Sequence, residues 1–150
     1  MANSYTSMNI HFVFSTKNRK NLIDSQMRSR LCTYIGGIAR QHNMVALAVG
    51  GTENHVHMLI SIPVTITPSK VVQLIKANSS RWIKEEFPKR SGFSWQVGYS
   101  GFSVSPRQIK NVMNYINRQE DHHRIMTFEE EYVGFLKDSG IEYDEQYIWG

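Results

Sequence analysis

The sequence predicts an α+β fold of element order β-α-β-β-α-β, an antiparallel sheet in the ferredoxin-like split βαβ arrangement, with added C-terminal helices. Three observations carry this. Short runs of β-formers are separated by longer stretches whose apolar residues recur at three- and four-residue spacing. The second and third runs follow one another across a Gly-containing turn with no helix between them, which makes an antiparallel hairpin. A chain of 150 residues, 41% hydrophobic with 4 prolines, can pack one core, so one domain over 1–150 is expected, without a separate ATPase or regulatory module.

The first run is Met8-Asn9-Ile10-His11-Phe12-Val13-Phe14, followed by the basic turn Lys17-Asn18-Arg19-Lys20. Asp24 then caps a helix in which Met27, Leu31, Tyr34, Ile35 and Ile38 share a face as far as the His42-Asn43 break. Gly36 and Gly37 oppose that helix by roughly 1 kcal/mol each. Residues 44–49 and 56–62 form the hairpin around Gly51-Thr52-Glu53-Asn54. Thr67 caps a second helix with Pro68 in its first turn, and Val71, Leu74, Ile75 and Trp82 mark its buried face before Pro88. Strand-like sequence returns over 95–104, kinked by Gly98 and Gly101. Ser105-Pro106 opens a third helix with the stripe Ile109, Val112, Met113 and Ile116, and a short helix over 128–137 precedes an aromatic end, Tyr143 to Trp149. Two helices on one sheet face leave the other face open.

Lys+Arg number 17 against 13 Asp+Glu, a formal +4, but the charge is uneven. Residues 1–124 hold 16 basic and 6 acidic side chains, a net +10, while 125–150 hold only Lys137 against seven acids, a net −6. A basic body points to a polyanionic partner, most often nucleic acid. The lone Cys32 excludes an intrachain disulfide and a Cys-based zinc cluster, and no stretch approaches 18 apolar residues or reads as a secretory leader, so a cytoplasmic protein with no membrane association is expected.

His55-Val56-His57 carries the chemistry. Alternation along a strand sends His55, His57, Leu59 and Ser61 to one face and Val56, Met58, Ile60 and Ile62 to the core face, so both imidazoles project together and can share a divalent ion. Such a pair needs further ligands. On the third helix Tyr115 and Gln119 lie one turn apart on one flank of the apolar stripe, presenting a phenol and an amide oxygen together. His122 and His123, about a turn further on, compete with Gln119 as third ligand.

With these residues go Gly50-Gly51-Thr52-Glu53-Asn54 ahead of the histidines, the segment Ser94-Trp95-Gln96-Val97-Gly98-Tyr99-Ser100-Gly101-Phe102-Ser103-Val104-Ser105, the start His11-Phe12-Val13-Phe14-Ser15-Thr16-Lys17 and the later Thr127-Phe128-Glu129-Glu130-Glu131-Tyr132. Together, over 8–149, the chain resembles the single-tyrosine transposases of the HUH endonuclease superfamily, insertion sequence 200 type. The resemblance implies that His55, His57 and Gln119 bind Mg²⁺ or Mn²⁺ and that Tyr115 attacks a phosphate of single-stranded DNA. It also implies hairpin-bearing DNA ends as substrate, and a homodimer in which the tyrosine helix of one subunit serves the histidine pair of the other.

The chemistry agrees. A phenol with a pKa near 10 is a weak nucleophile at neutral pH, and two imidazoles with an amide leave a bound cation its full charge to polarise a phosphate. Attack would give a 5′-phosphotyrosine and a free 3′-OH, and the retained bond energy removes the need for ATP, in keeping with the absence of a G-x-x-x-x-G-K-[ST] loop. Lys17, Arg19, Lys20, Lys76, Arg81, Lys84, Lys89 and Arg90 are expected to meet phosphates, and Trp95, Tyr99 and Phe102 to stack on bases. Two other classes remain open: a non-catalytic single-stranded nucleic-acid-binding regulator of the same fold, and a metal phosphodiesterase that uses water with Tyr115 merely structural.

Overall fold

The computed structural model describes residues 3–149. Its elements are β1 (Asn9–Ser15), α1 (Ser25–Gln41), β2 (Val45–Gly51), β3 (His55–Ser61), α2 (Pro68–Glu86), β4 (Ser100–Val104), α3 (Ile109–Asn117), α4 (Gln119–His122) and α5 (Phe128–Asp138). The strands form one antiparallel sheet in the order β2-β3-β1-β4, the split βαβ plan with its two central strands contributed by β1 and β3.

The local signals act as expected. The Asp24 side chain accepts from the Met27 amide at 2.9 Å and starts α1, which buries Met27, Leu31, Ile35 and Ile38. The Thr67 hydroxyl accepts from the Lys70 amide at 3.2 Å and starts α2, which buries Val71, Ile75 and Ile83. Both helices lie on Phe12, Phe14, Val56, Met58 and Ile60, the core face of the two central strands.

The other face is covered, not open. Ala48 and Leu59 pack against Ile116 of α3, and Val13 packs against Phe128, Tyr132 and Leu136 of α5. The physical reason is that this face also carries apolar side chains, which a two-layer fold would leave in water. Close approach of α3 depends on Gly50, where a Cβ would stand 2.5 Å from the Ile116 carbonyl oxygen.

Two boundaries differ from expectation. The strand expected over 95–104 is confined to Ser100–Val104: Trp95 makes one isolated bridge to Thr16, and Gly98, at φ +130°, turns the chain between them. The third helix begins as a 3-10 turn, Pro106–Gln108, and breaks at Arg118 (φ −113°, ψ 27°), so Gln119 opens the short helix α4 instead of extending α3.

Candidate active site

His55 and His57 share the β3 face that α3 to α5 cover, and both are fully buried. They are therefore not the exposed pair that an open face implied. The register pairs Val13 with His57 and Leu59 with His11, which brings the His11 ring alongside, Nε2 lying 2.8 Å from His57 Nδ1. His55 Nδ1 lies 2.8 Å from Asn54 Oδ1 and 2.9 Å from Thr52 Oγ1, both in the turn that enters β3.

The helices bring the rest. Gln119 Oε1 sits 2.9 Å from His55 Nε2 and 3.1 Å from His123 Nε2. Glu131 on α5 places Oε1 2.9 Å from His57 Nε2, 3.1 Å from His123 Nε2 and 3.4 Å from His55 Nε2. The Tyr115 hydroxyl donates to Glu131 Oε2, while its ring stacks on His122 at 4.3 Å and lies 5.8 Å from that of His57. His55, His57 and Glu131 are a group able to hold a metal ion.

Burial sets the protonation. It pulls His57 down to about 4 although Glu131 pulls the other way, and it takes His11 to about 3 with the neighbouring His57 adding to the effect. For Glu131, burial alone would raise the carboxyl, but hydrogen bonds from His123, His55 and His57 outweigh it and hold the group far below the usual carboxylate range. Tyr115 is pushed above the ordinary phenol value by burial and then by its bond to Glu131. Burial opposes protonation of His123, yet Glu131 prevails and raises it.

The partners also fix tautomers. Asn54 Oδ1 and the Met126 carbonyl, 3.0 Å from His123 Nδ1, can only accept, so the Nδ1 atoms of His55 and His123 carry hydrogen. In their neutral forms these rings present Nε2 lone pairs to the oxygens of Gln119 and Glu131, whereas a ring that donates from Nε2 to Glu131 is the imidazolium. Such a convergence of electron-pair donors suits a divalent cation.

Of the residues expected from sequence, His55, His57, Tyr115 and Gln119 come together. Glu131 and His11 were not expected there, and His123, a rival to Gln119 in the sequence, stands beside it instead of replacing it. Glu131 had a signal: it lies in the apolar stripe of its helix, one turn from Phe128 and Phe135. The Lys17-to-Lys20 turn borders the site, because the Thr16 amide donates to the Asn54 carbonyl at 2.9 Å; Lys17 and Lys20 are exposed there, while Arg19 is engaged by Glu129 at 2.9 Å and by the Trp149 ring at 4.6 Å.

The other proposed DNA contacts change. Arg81 and Lys84 lie on the exposed side of α2, across the sheet from the histidines. Trp95 is a core residue rather than a stacking platform, wedged edge-on against Phe14 and Phe93 at 4.9 and 4.8 Å with Nε1 donating to Ser79 Oγ. Tyr99 is half-buried and packs on the core near Phe12, Phe102 stacks on Phe135 at 5.4 Å, and Lys76 Nζ donates to the carbonyls of Gln96 and Gly98. Lys89 is exposed, and Arg90 Nε donates to the Leu22 carbonyl at 2.7 Å. Within a single chain the Tyr115 ring lies 5.8 Å from that of its own His57.

A ferredoxin-like sheet that buries an H-x-H pair beside a tyrosine defines the class, and comparison with known proteins agrees. The family model for IS200-like transposases matches residues 4–119. This chain belongs to that family. The transposases of insertion sequence IS200 from Salmonella typhimurium LT2 and Salmonella typhi are each 24% identical over 124 residues, 79% of this chain and 81% of theirs. Two solved structures share the fold. A candidate transposase from Deinococcus radiodurans R1 has TM-score 0.65 and 22% identity over 79% of this chain and 96% of its own. A REP-associated tyrosine transposase bound to a REP hairpin has TM-score 0.60 and 15% identity over 82% and 73%. Among the described residues no helix is long and apolar enough to cross a membrane.

Proposed function

We propose that this chain, a single catalytic domain acting in the cytoplasm, cleaves and rejoins single-stranded DNA by transesterification. The Tyr115 phenolic oxygen bonds to phosphorus, the bond from phosphorus to the 3′ oxygen breaks, the phenolic proton leaves and the 3′ oxygen takes one up. The products are a 5′-phosphotyrosine and a 3′-OH, and reversal on a second strand rejoins the DNA. The observation that carries this is the meeting of the Tyr115 hydroxyl and the paired imidazoles on one buried carboxylate.

His55, His57 and Gln119 would hold Mg²⁺ or Mn²⁺. When bound, the cation supplies Lewis-acid polarisation of the scissile phosphate. The need for it is built into the site, since burial and Glu131 push the phenol above its ordinary value and so away from phenolate. His11 and Asn54 orient the ligand rings from behind, and α5 excludes water that would otherwise hydrolyse the adduct. Lys17 and Lys20 flank the approach for a hairpin-bearing strand. In a homodimer the resemblance implies exchanged tyrosines. Within one chain α3 packs through Ile116 on Ala48 of β2 and Leu59 of β3, so we place Tyr115 with the histidines of its own chain.

The test is incubation with end-labelled single-stranded DNA carrying the hairpins that flank the reading frame, in Mn²⁺. Wild type should give a covalent protein–DNA adduct stable to denaturing gels, and Tyr115→Phe should give none while retaining DNA affinity. An intact strand with wild type indicates the binding regulator, and a cut strand without adduct indicates the hydrolase.

A further inference from the structure

We infer that Glu131 is itself a ligand of that cation through Oε1 and positions the Tyr115 hydroxyl through Oε2, so that one carboxylate ties nucleophile to metal; the inference rests on the metal-assisted reading above.

Glu131 Oε1 lies within 3.4 Å of three imidazole Nε2 atoms, and two of those rings have their Nδ1 hydrogens committed to Asn54 and Met126. In their neutral forms, lone pairs therefore face a carboxylate oxygen, an arrangement repulsive unless a positive charge stands among them. Among the described residues no lysine or arginine pairs with Glu131. A buried carboxylate costs several kcal/mol to desolvate; His123, 3.1 Å away, offsets part of that when protonated, and a divalent cation among the ring nitrogens offsets it without a proton.

Helix phase aims the side chain. The capping box of Thr127 and Glu130 fixes where α5 begins, and Phe128, Tyr132 and Leu136 seat it on Val13, which turns Glu131 inward while Glu129 faces Arg19. Two imidazoles, a carboxylate and an amide oxygen form a mixed nitrogen and oxygen donor set, which suits Mn²⁺ better than the oxygen-preferring Mg²⁺. Glu131 also explains why Gln119 need not be the decisive third ligand, since water can replace a neutral amide but not a charge.

The experiment measures Mn²⁺ binding to the full chain without DNA, by the loss of the free-ion electron paramagnetic resonance signal, in wild type, Glu131→Gln, Glu131→Asp, Gln119→Ala and His57→Ala. Glu131→Gln, nearly isosteric, should weaken Mn²⁺ at least about tenfold and more than Gln119→Ala does, with Glu131→Asp recovering part of the affinity because the charge returns. Circular dichroism and a thermal melt establish that each variant is folded, and Glu131→Asp decides the matter should Gln disturb α5. Wild-type affinity in Glu131→Gln alongside loss in His57→Ala overturns the inference and leaves the proposed function standing. Failure of wild type to bind Mn²⁺ removes the metal-assisted reading and this inference with it.

Discussion

Acid should unfold this protein in a window set by two buried imidazoles. His11 and His57 share a hydrogen bond and are held, mainly by burial, at about 3 and about 4 instead of 6.5. In the unfolded chain both take up protons near 6.5, whereas the folded chain resists until much lower pH. The unfolded state therefore binds more protons between those limits, and the stability these groups contribute above 6.5 is lost as pH falls. Each group approaches a slope of about 1.4 kcal/mol per pH unit once the unfolded imidazole is protonated, so the pair costs about 3 kcal/mol between about pH 6.5 and 5. A small domain has about 5–15 kcal/mol in all. Two other shifted groups change little there: the stabilisation from the raised His123, of opposite sign, is present below 6.5, and that from the depressed Glu131, of the same sign, is lost only below about 4.3. Urea unfolding followed by circular dichroism in EDTA across this range measures the slope. His11→Phe, in a pocket already lined by Phe102 and Phe135, should halve it. A wild-type slope below about 1 kcal/mol per pH unit, or an unchanged slope in His11→Phe, would refute the reasoning.

Gly50→Ala drives a methyl group into the Ile116 carbonyl and should cost about 1–3 kcal/mol in urea unfolding, with slower adduct formation as α3 is displaced. Mn²⁺ at about a hundred times its dissociation constant should add about 2.7 kcal/mol of stability, reversed by EDTA in a thermal melt. Lys17→Ala with Lys20→Ala should weaken single-stranded DNA binding and lower its salt slope by about 0.7 for each phosphate no longer neutralised, whereas Arg81→Ala with Lys84→Ala should change neither. Co-expressed Tyr115→Phe and His57→Ala chains, isolated as mixed dimers, should stay at background cleavage; regained activity would show that tyrosines are exchanged between subunits.

Much of the fold was legible because local and global signals agree. Asp24 and Thr67 cap the helices they precede, and the alternation of Val56, Met58, Ile60 and Ile62 names the core face. The paired histidines followed from the same alternation. What the second face would meet did not, because Ala48, Leu59 and Val13 are single apolar residues scattered over three strands, and only their assembly makes a surface that α3 and α5 must cover. Trp95 misled for a related reason: its side chain type fits both a base platform and a core, and its indole hydrogen finds Ser79 on α2, 16 residues back in sequence. Glu131 was hidden in a run of three acids that reads as a solvated helix start, although each has a different task.

That division of tasks changes the meaning of the charge asymmetry. The acids of α5 are not a free polyanionic tail: Glu129 neutralises Arg19, Glu130 closes the capping box, and Glu131 lies between the histidines and the nucleophile. A DNA phosphate that approaches the Tyr115 oxygen must meet the Glu131 carboxylate, and two unit negative charges about 4 Å apart repel by about 4 kcal/mol at a protein-surface dielectric. On the proposed mechanism, the site without a cation should therefore disfavour the scissile phosphate although the chain as a whole is basic. Positive charge placed among His55, His57 and Glu131 reverses the local sign, whereas Lys17 and Lys20 need no such help. Engagement of the scissile phosphate should therefore depend on the cation more steeply than binding of the flanking strand.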